Sequence, residues 1–241
     1  MIQFEDLFKA FGDKQVLAGL TLEVRDGETL VIIGYSGTGK SVALKHIVGL
    51  LTPDAGEVRV DGKVVSALDR AGLTALRRDI GYVFQFAALF DSMSVSDNVA
   101  LGLRRRGLTD EEIQDRVQEA LALVDLTGTG ERFPAELSGG MKKRVGIARA
   151  IALRPRYILY DEPTTGLDPV TSAVIDQLMV RTRERMKVTG VVVTHDMRSA
   201  YTVGDRIAML YEGRIRQVGS VAEIQATDDP VVRQFIEGRP T

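Results

Sequence analysis

The sequence predicts an α/β fold: a parallel sheet buried on both faces, with a helical segment inserted into it. Three observations carry the prediction. The runs LVIIG (30–34), YILYDEP (157–163) and GVVVTHD (190–196) are apolar without alternation and rich in Val and Ile. Such short runs suit strands covered on both sides. The stretch GYSGTGKS (34–41) lies between one of these runs and a segment of helical periodicity. Between Phe86 and Arg132 the pattern turns helical, with Ile113, Val117, Ala120, Leu121 and Val124 on one face.

The chain has 241 residues, enough for one large domain with a sizeable core. TLEV (21–24) and EVRVDG (57–62) alternate apolar and polar residues, and the second ends in an Asp-Gly turn. TDEEIQDRVQEALALVDL opens with Thr109 and Glu112 at capping-box spacing. RIAMLYEGRIRQVG (206–219) reads as two strands about the turn Glu212-Gly213. There is no internal repeat and no long linker.

Composition narrows the function. Lys and Arg number 31 against 33 Asp and Glu, for a net charge of −2. That is no electrostatic footprint for nucleic acid or an anionic membrane. The absence of Cys excludes disulfides and thiolate metal sites, and two His make a histidine-built metal site improbable. No apolar run approaches the ~20 residues of a membrane helix. The N-terminal MIQFEDLFKAF has early acids and no signal-peptide pattern. The expected location is cytosolic, with any membrane role exercised through a partner.

GYSGTGKS matches G-x-x-x-x-G-K-[ST] at every fixed position. Its glycines let backbone N–H groups turn inward around a phosphate, and the helix that follows adds its positive end. The predicted nucleotide-binding residues are Gly34, Tyr35, Ser36, Gly37, Thr38, Gly39, Lys40, Ser41 and Val42. Tyr35 occupies a variable position and receives no separate role. Lys40 reaches the β- and γ-phosphates of ATP, and Ser41 ligates Mg²⁺. Asp161 ends an apolar strand, where a carboxylate needs a nearby cation, so it is the second Mg²⁺ residue. Glu162 follows as the group that polarises the attacking water. LSGGM (137–141) carries two glycines and runs into the basic MKKRVGIARAIAL. Lys142, Lys143 and Arg144 are expected on a solvated face.

A phosphate loop, then Leu-Ser-Gly-Gly, an Asp-Glu-Pro strand end and a His after a Val-rich strand together resemble the ATP-binding subunit of ABC transporters. The resemblance covers nearly the whole chain. It implies a P-loop NTPase core of the ABC ATPase type, with an N-terminal antiparallel β subdomain and an inserted α-helical subdomain at about 87–155. It also implies a single ABC ATP-binding domain over 1–241, with a short C-terminal tail at about 226–241. By position, Phe11 stacks on adenine, and Gln85 senses Mg²⁺ and the γ-phosphate. Ser138, Gly139, Gly140 and Met141 form the signature loop, which serves the nucleotide of the opposite copy. Asp168 lies in the loop that crosses to that copy, and His195 holds the γ-phosphate. Gln85, Glu162 and His195 are thereby the catalytic candidates. Many members carry Gln where Met141 stands, and a methionine cannot donate an amide hydrogen bond.

The stretches LSGGMKKRVGIARAIA, YDEPTTGLDPVTS, VTHDMRSAYTVGDRIAMLYEGRI, DPVVRQFIEGRP and GKSVALKHIVGLL look like the ATPases of the Mla and Mce lipid-transport systems. That likeness implies phospholipid transport driven at the cytoplasmic face of the inner (plasma) membrane. Its implied partners are a second copy of the chain, a membrane permease dimer, an Mce-domain protein and a small accessory subunit, with no nucleic acid. The alternative reading is an ABC ATPase without a permease, such as a cluster-assembly type. A metabolic P-loop kinase gives no reason for LSGGM or for the His195 strand.

Overall fold

The computed structural model describes residues 1–239, which divide into two compact units, 1–77 with 189–239 and 78–188. Positions 240 and 241 of the expected tail lie outside the described residues.

The first unit holds two sheets. Strands β1 (Ile2–Phe11), β2 (Lys14–Val24), β4 (Ala55–Val60) and β5 (Lys63–Val64) form an antiparallel sheet in the order β2-β1-β4-β5. This is the expected N-terminal β subdomain, and its longest pairing uses a strand that sequence periodicity does not reveal. In β1 the buried residues are Ile2, Phe4 and then Leu7. Asp6 has φ 44° and the register shifts between Phe4 and Leu7, so a bulge reverses the side-chain alternation mid-strand. The Asp61-Gly62 turn joins β4 to β5 with both residues at positive φ, as the two-residue hairpin requires.

The other sheet of this unit is built on β3 (Thr29–Ile33), every residue of which is buried. It pairs in parallel with β8 (Thr189–Val193) on one side and β9 (Arg206–Tyr211) on the other. β10 (Arg214–Ser220) returns antiparallel to β9 across Glu212-Gly213, again with positive φ at both. Helix α1 (Lys40–Ile47) follows β3 directly, α2 (Arg70–Arg78) precedes the second unit, and α7 (Met197–Val203) follows β8. The C-terminal helices α8 (Val221–Gln225) and α9 (Pro230–Ile236) are capped by Ser220 and Asp229.

The second unit pairs β6 (Ile80–Val83) in parallel with β7 (Tyr157–Asp161). Its helices are α3 (Val95–Ala100), α4 (Asp110–Leu123), α5 (Gly139–Ile151) and α6 (Pro169–Met186). The capping box of α4 is present in full: Glu112 N donates to Thr109 Oγ1 at 3.2 Å and Thr109 N to Glu112 Oε2 at 2.8 Å. Among the described residues, no helix is long and apolar enough to cross a membrane.

Candidate nucleotide site

In the first unit the chemistry gathers at one sheet edge. β3 and β8 run parallel, with Ile32 opposite Val193, so the residues after both strands emerge together. After β3 comes the phosphate loop; after β8 come Thr194 and His195. The crevice beyond the carboxyl ends of parallel strands is where α/β sheets bind ligands.

Glycine is needed in the loop for stated reasons. A Cβ on Gly34 would lie 2.4 Å from the Leu210 carbonyl oxygen, and one on Gly39 would lie 2.8 Å from Val16. Gly39 sits at φ 101° and caps α1 with no side chain. The first-turn N–H groups of α1 therefore have no side-chain cap and face the loop, as an anion site requires. Lys40 is buried, and its Nζ donates to the carbonyls of Gly34 at 2.9 Å and Tyr35 at 3.1 Å. The ammonium is thus folded over the loop. Thr38 Oγ1 donates to the Tyr35 carbonyl at 2.9 Å, closing the turn from within. The Tyr35 ring meets Phe235 of α9 edge-on, with centroids 4.9 Å apart, and Tyr211 at 6.5 Å.

His195 is exposed beyond β8. Asp196, next to it, caps α7 by accepting from Arg198 N at 2.8 Å, which fixes the backbone that presents the imidazole. Phe11 ends β1 and is 48% exposed, with the Lys9 ammonium 5.7 Å from its ring centre. An aromatic left this open is available for stacking rather than committed to the core.

The second unit gathers the remaining candidates in the same way. β6 and β7 are parallel with Val83 opposite Tyr160, so Gln85 and the pair Asp161-Glu162 leave one edge. Both acids are buried. Tyr82 donates its hydroxyl to Asp161 Oδ2 at 3.0 Å, and burial together with that carboxylate drives the phenol well above its ordinary range. Glu162 has φ 49°, a left-handed conformation for a residue with a Cβ, and accepts from Thr165 Oγ1 at 3.0 Å.

Ser138 is the N-cap of α5, with Met141 N donating to its Oγ at 3.3 Å. Gly139 and Gly140 open the helix behind it. A Cβ on Gly140 would lie 2.5 Å from Thr171 Cγ2, so this glycine lets α5 approach the start of α6. Asp168 caps α6, accepting from Val170 N and Thr171 N at 3.0 Å each. The Thr171 hydroxyl bond, with those amides, holds the Asp168 carboxyl below its usual range.

One expectation is corrected. Lys143 is not on a solvated face: it is buried, and its Nζ donates to the carbonyls of Gln85 and, at 3.3 Å, Glu162. Arg144 is also engaged, with the carbonyls of Val124 at 3.3 Å and Asp125 at 3.2 Å. Sequence reasoning missed Arg149, which donates to the carbonyls of Ala87 and Ala88 at 2.6 Å each. Lys143 shares the helical spacing of Gly140, Ile147 and Ala150 on the buried face of α5, whereas Arg149 lies outside that series.

Residues 17–165 match the family model described as ABC transporter. The chain belongs to the ABC transporter family. It is 42% identical over 239 residues to the probable ribonucleotide transport ATP-binding protein mkl of Mycobacterium leprae (strain TN), covering 99% of this chain and 69% of that protein. Identity is also 42% to the methionine import ATP-binding protein MetN of Xylella fastidiosa (strain Temecula1 / ATCC 700964), over 98% of this chain and 72% of the relative. The chloroplastic protein TRIGALACTOSYLDIACYLGLYCEROL 3 of Arabidopsis thaliana is 41% identical, over 99% and 74%. Among solved structures, the dimeric cassette MJ0796 in a post-hydrolysis state with ADP and Pi superimposes with a TM-score of 0.84 at 36% identity, over 92% of this chain and 99% of that one. The cassette cbiO1 of Clostridium perfringens gives 0.86 at 32% identity, over 97% and 93%. This ABC transporter subunit is an ATP hydrolase that uses ATP with Mg²⁺. Its class works as paired cassettes with a membrane permease.

Proposed function

We propose that the chain is the ATP-hydrolysing motor of a lipid transporter, attached through a permease to the cytoplasmic face of the inner membrane. The observation that carries this is Met141 in the signature, within the surrounding stretch LSGGMKKRVGIARAIA that looks like the Mla and Mce ATPases. Support comes from the Arabidopsis relative, whose name is that of a glycolipid. On this reading the partners include a second copy of the chain, a permease dimer, an Mce-domain lipid-binding protein and a small accessory subunit. The 42% identity to a methionine import ATPase favours a second reading, amino-acid uptake.

The residue roles in this reading follow from the family resemblance together with the chemistry of the phosphate loop. Phe11 stacks on adenine. The N–H groups of Gly34–Val42 and the Lys40 ammonium hold the phosphates. Ser41, Gln85 and Asp161 would hold Mg²⁺, which would supply neutralisation of phosphate charge. No group of three or more His, Asp or Glu suited to a metal occurs among the described residues. A site completed by phosphate oxygens and water fits that finding. Glu162 orients the attacking water and takes its proton, while His195 bonds the γ-phosphate. Ser138, Gly139, Gly140 and Met141 face the nucleotide of the opposite copy, and Asp168 lies where the copies meet. The domain reading is one cassette with its helical part at about 87–155 and its tail from about 226.

The test is co-purification with the membrane partner in detergent, mass spectrometry of what is bound, and ATP turnover in vesicles. Bound phospholipid and phospholipid-stimulated turnover are the expected result. A lipid-free complex whose turnover responds to methionine overturns the lipid reading.

A further inference from the structure

Helix α5 grips the backbone that follows β6 over about two turns. Lys143 donates to the carbonyl of Gln85. Gly146, one turn on, packs against Ala87, whose Cα a Cβ there would meet at van der Waals distance, 3.4 Å. Arg149, another turn on, donates to the carbonyls of Ala87 and Ala88. Those alanines have φ 59° and 47°. A left-handed conformation is disfavoured for a residue with a Cβ, which clashes with the following carbonyl. It persists only where the surroundings over-determine it.

Lys143 does more than hold this loop. Its ammonium also reaches the carbonyl of Glu162, a third left-handed residue. A buried cation ordinarily pairs its charge with a carboxylate in direct contact. Here the ammonium bonds to main-chain oxygens, one on each of two segments. Burial lowers the proton affinity of the ammonium, and the field of the acids Glu162 and Asp161 offsets part of that loss.

We propose that Lys143 is a positioning residue for hydrolysis, whose ammonium pins the backbones of Gln85 and Glu162 to the signature helix. The proposal rests on the reading of Glu162 as the water-activating carboxylate. The direction of a side chain follows from its backbone. A shift of about 1 Å at a reacting group costs on the order of 10²-fold in rate. The ammonium thus aligns the Glu162 carboxylate with the sensing amide of Gln85. Because it stands on α5, both are aligned to the helix that Ser138 opens. The bonds of Lys143 go to Gln85 and Glu162 and not to Lys40, so the expected loss falls on turnover more than on ATP affinity.

The experiment compares wild type with Lys143→Met, Lys143→Arg and Glu162→Gln, measuring ATP turnover, KM and the amide exchange of 84–88 and 162–165. Lys143→Met is expected to lower kcat about 10- to 100-fold with KM for ATP within about twofold, and to speed exchange in both segments. Lys143→Arg, which keeps a cation able to donate to two carbonyls, is expected to restore most of the rate. Turnover of folded Lys143→Met near wild type, or an unchanged exchange pattern, overturns the proposal. Equal losses of rate and ATP affinity would do so too. If Lys143→Met does not fold, Lys143→Arg decides: a rate as low as that of Glu162→Gln overturns the proposal. Inactive Glu162→Gln beside active Lys143→Met rejects the positioning role alone. Active Glu162→Gln rejects the carboxylate reading and the proposal with it.

Discussion

Glu162 is held in a left-handed backbone with its carboxylate on the Thr165 hydroxyl, so its geometry is set before substrate arrives. Glu162→Gln keeps the shape and removes the proposed base. Its turnover is expected to fall at least about 10²-fold, the lower range of general-base contributions. ATP binding is retained, as checked by single-turnover kinetics and calorimetry. Lys40→Ala should instead weaken ATP binding more than tenfold, since a hydrogen bond to a charged group contributes about 1.5–3 kcal/mol; unchanged affinity by calorimetry contradicts the role. These two residues were legible from sequence because the phosphate loop and the strand-end acids occupy fixed local spacings. Lys143 was not. A run of three basic residues looks solvated, and the carbonyls that receive its ammonium lie 58 and 19 residues away.

At the scale of elements, α1 shows what burial does to a titrating group. His46 is buried on this helix with Nδ1 2.8 Å from the Val42 carbonyl. Burial, helped by Lys9, lowers its pKa, while the Val42 carbonyl and Asp54 oppose the shift. The unfolded chain then binds a proton that the folded chain refuses, so stability falls as pH drops through 6.5 towards the folded value. His46→Gln should flatten that fall between about pH 7.5 and 5.5; urea midpoints across the range check it, and parallel curves for both proteins contradict it. On α4, Thr109→Ala should cost about 1 kcal/mol of stability. Elements whose signals are local, such as the α4 cap and the Glu212-Gly213 hairpin, were readable in advance. β1 was not, because the bulge at Asp6 breaks the period that identifies a strand.

At the scale of the whole molecule, LSGGM is read as serving the nucleotide of a second copy, and heterodimers test that directly. One chain carries Lys40→Ala, the other Ser138→Arg, and both carry Glu162→Gln to trap nucleotide. If the signature acts across the dimer, mixing creates one site with an intact phosphate loop and an intact signature. Up to one ATP per heterodimer should then be occluded, while the unmixed chains trap almost none. Equal trapping before and after mixing rejects the reading. Such an arrangement was legible only through family likeness, since periodicity and composition describe one chain and carry no record of a second.

The contact between Tyr35 and Phe235 has a practical use. The chain contains no tryptophan, and Phe235 lies edge-on to a ring of the phosphate loop at 4.9 Å. Phe235→Trp would therefore install a single indole against the loop that receives ATP. Its emission would stand clear of the six tyrosines and report nucleotide arrival at the loop in real time. A stopped-flow trace from this one variant could order nucleotide arrival against every later event of the cycle, with no dye attached.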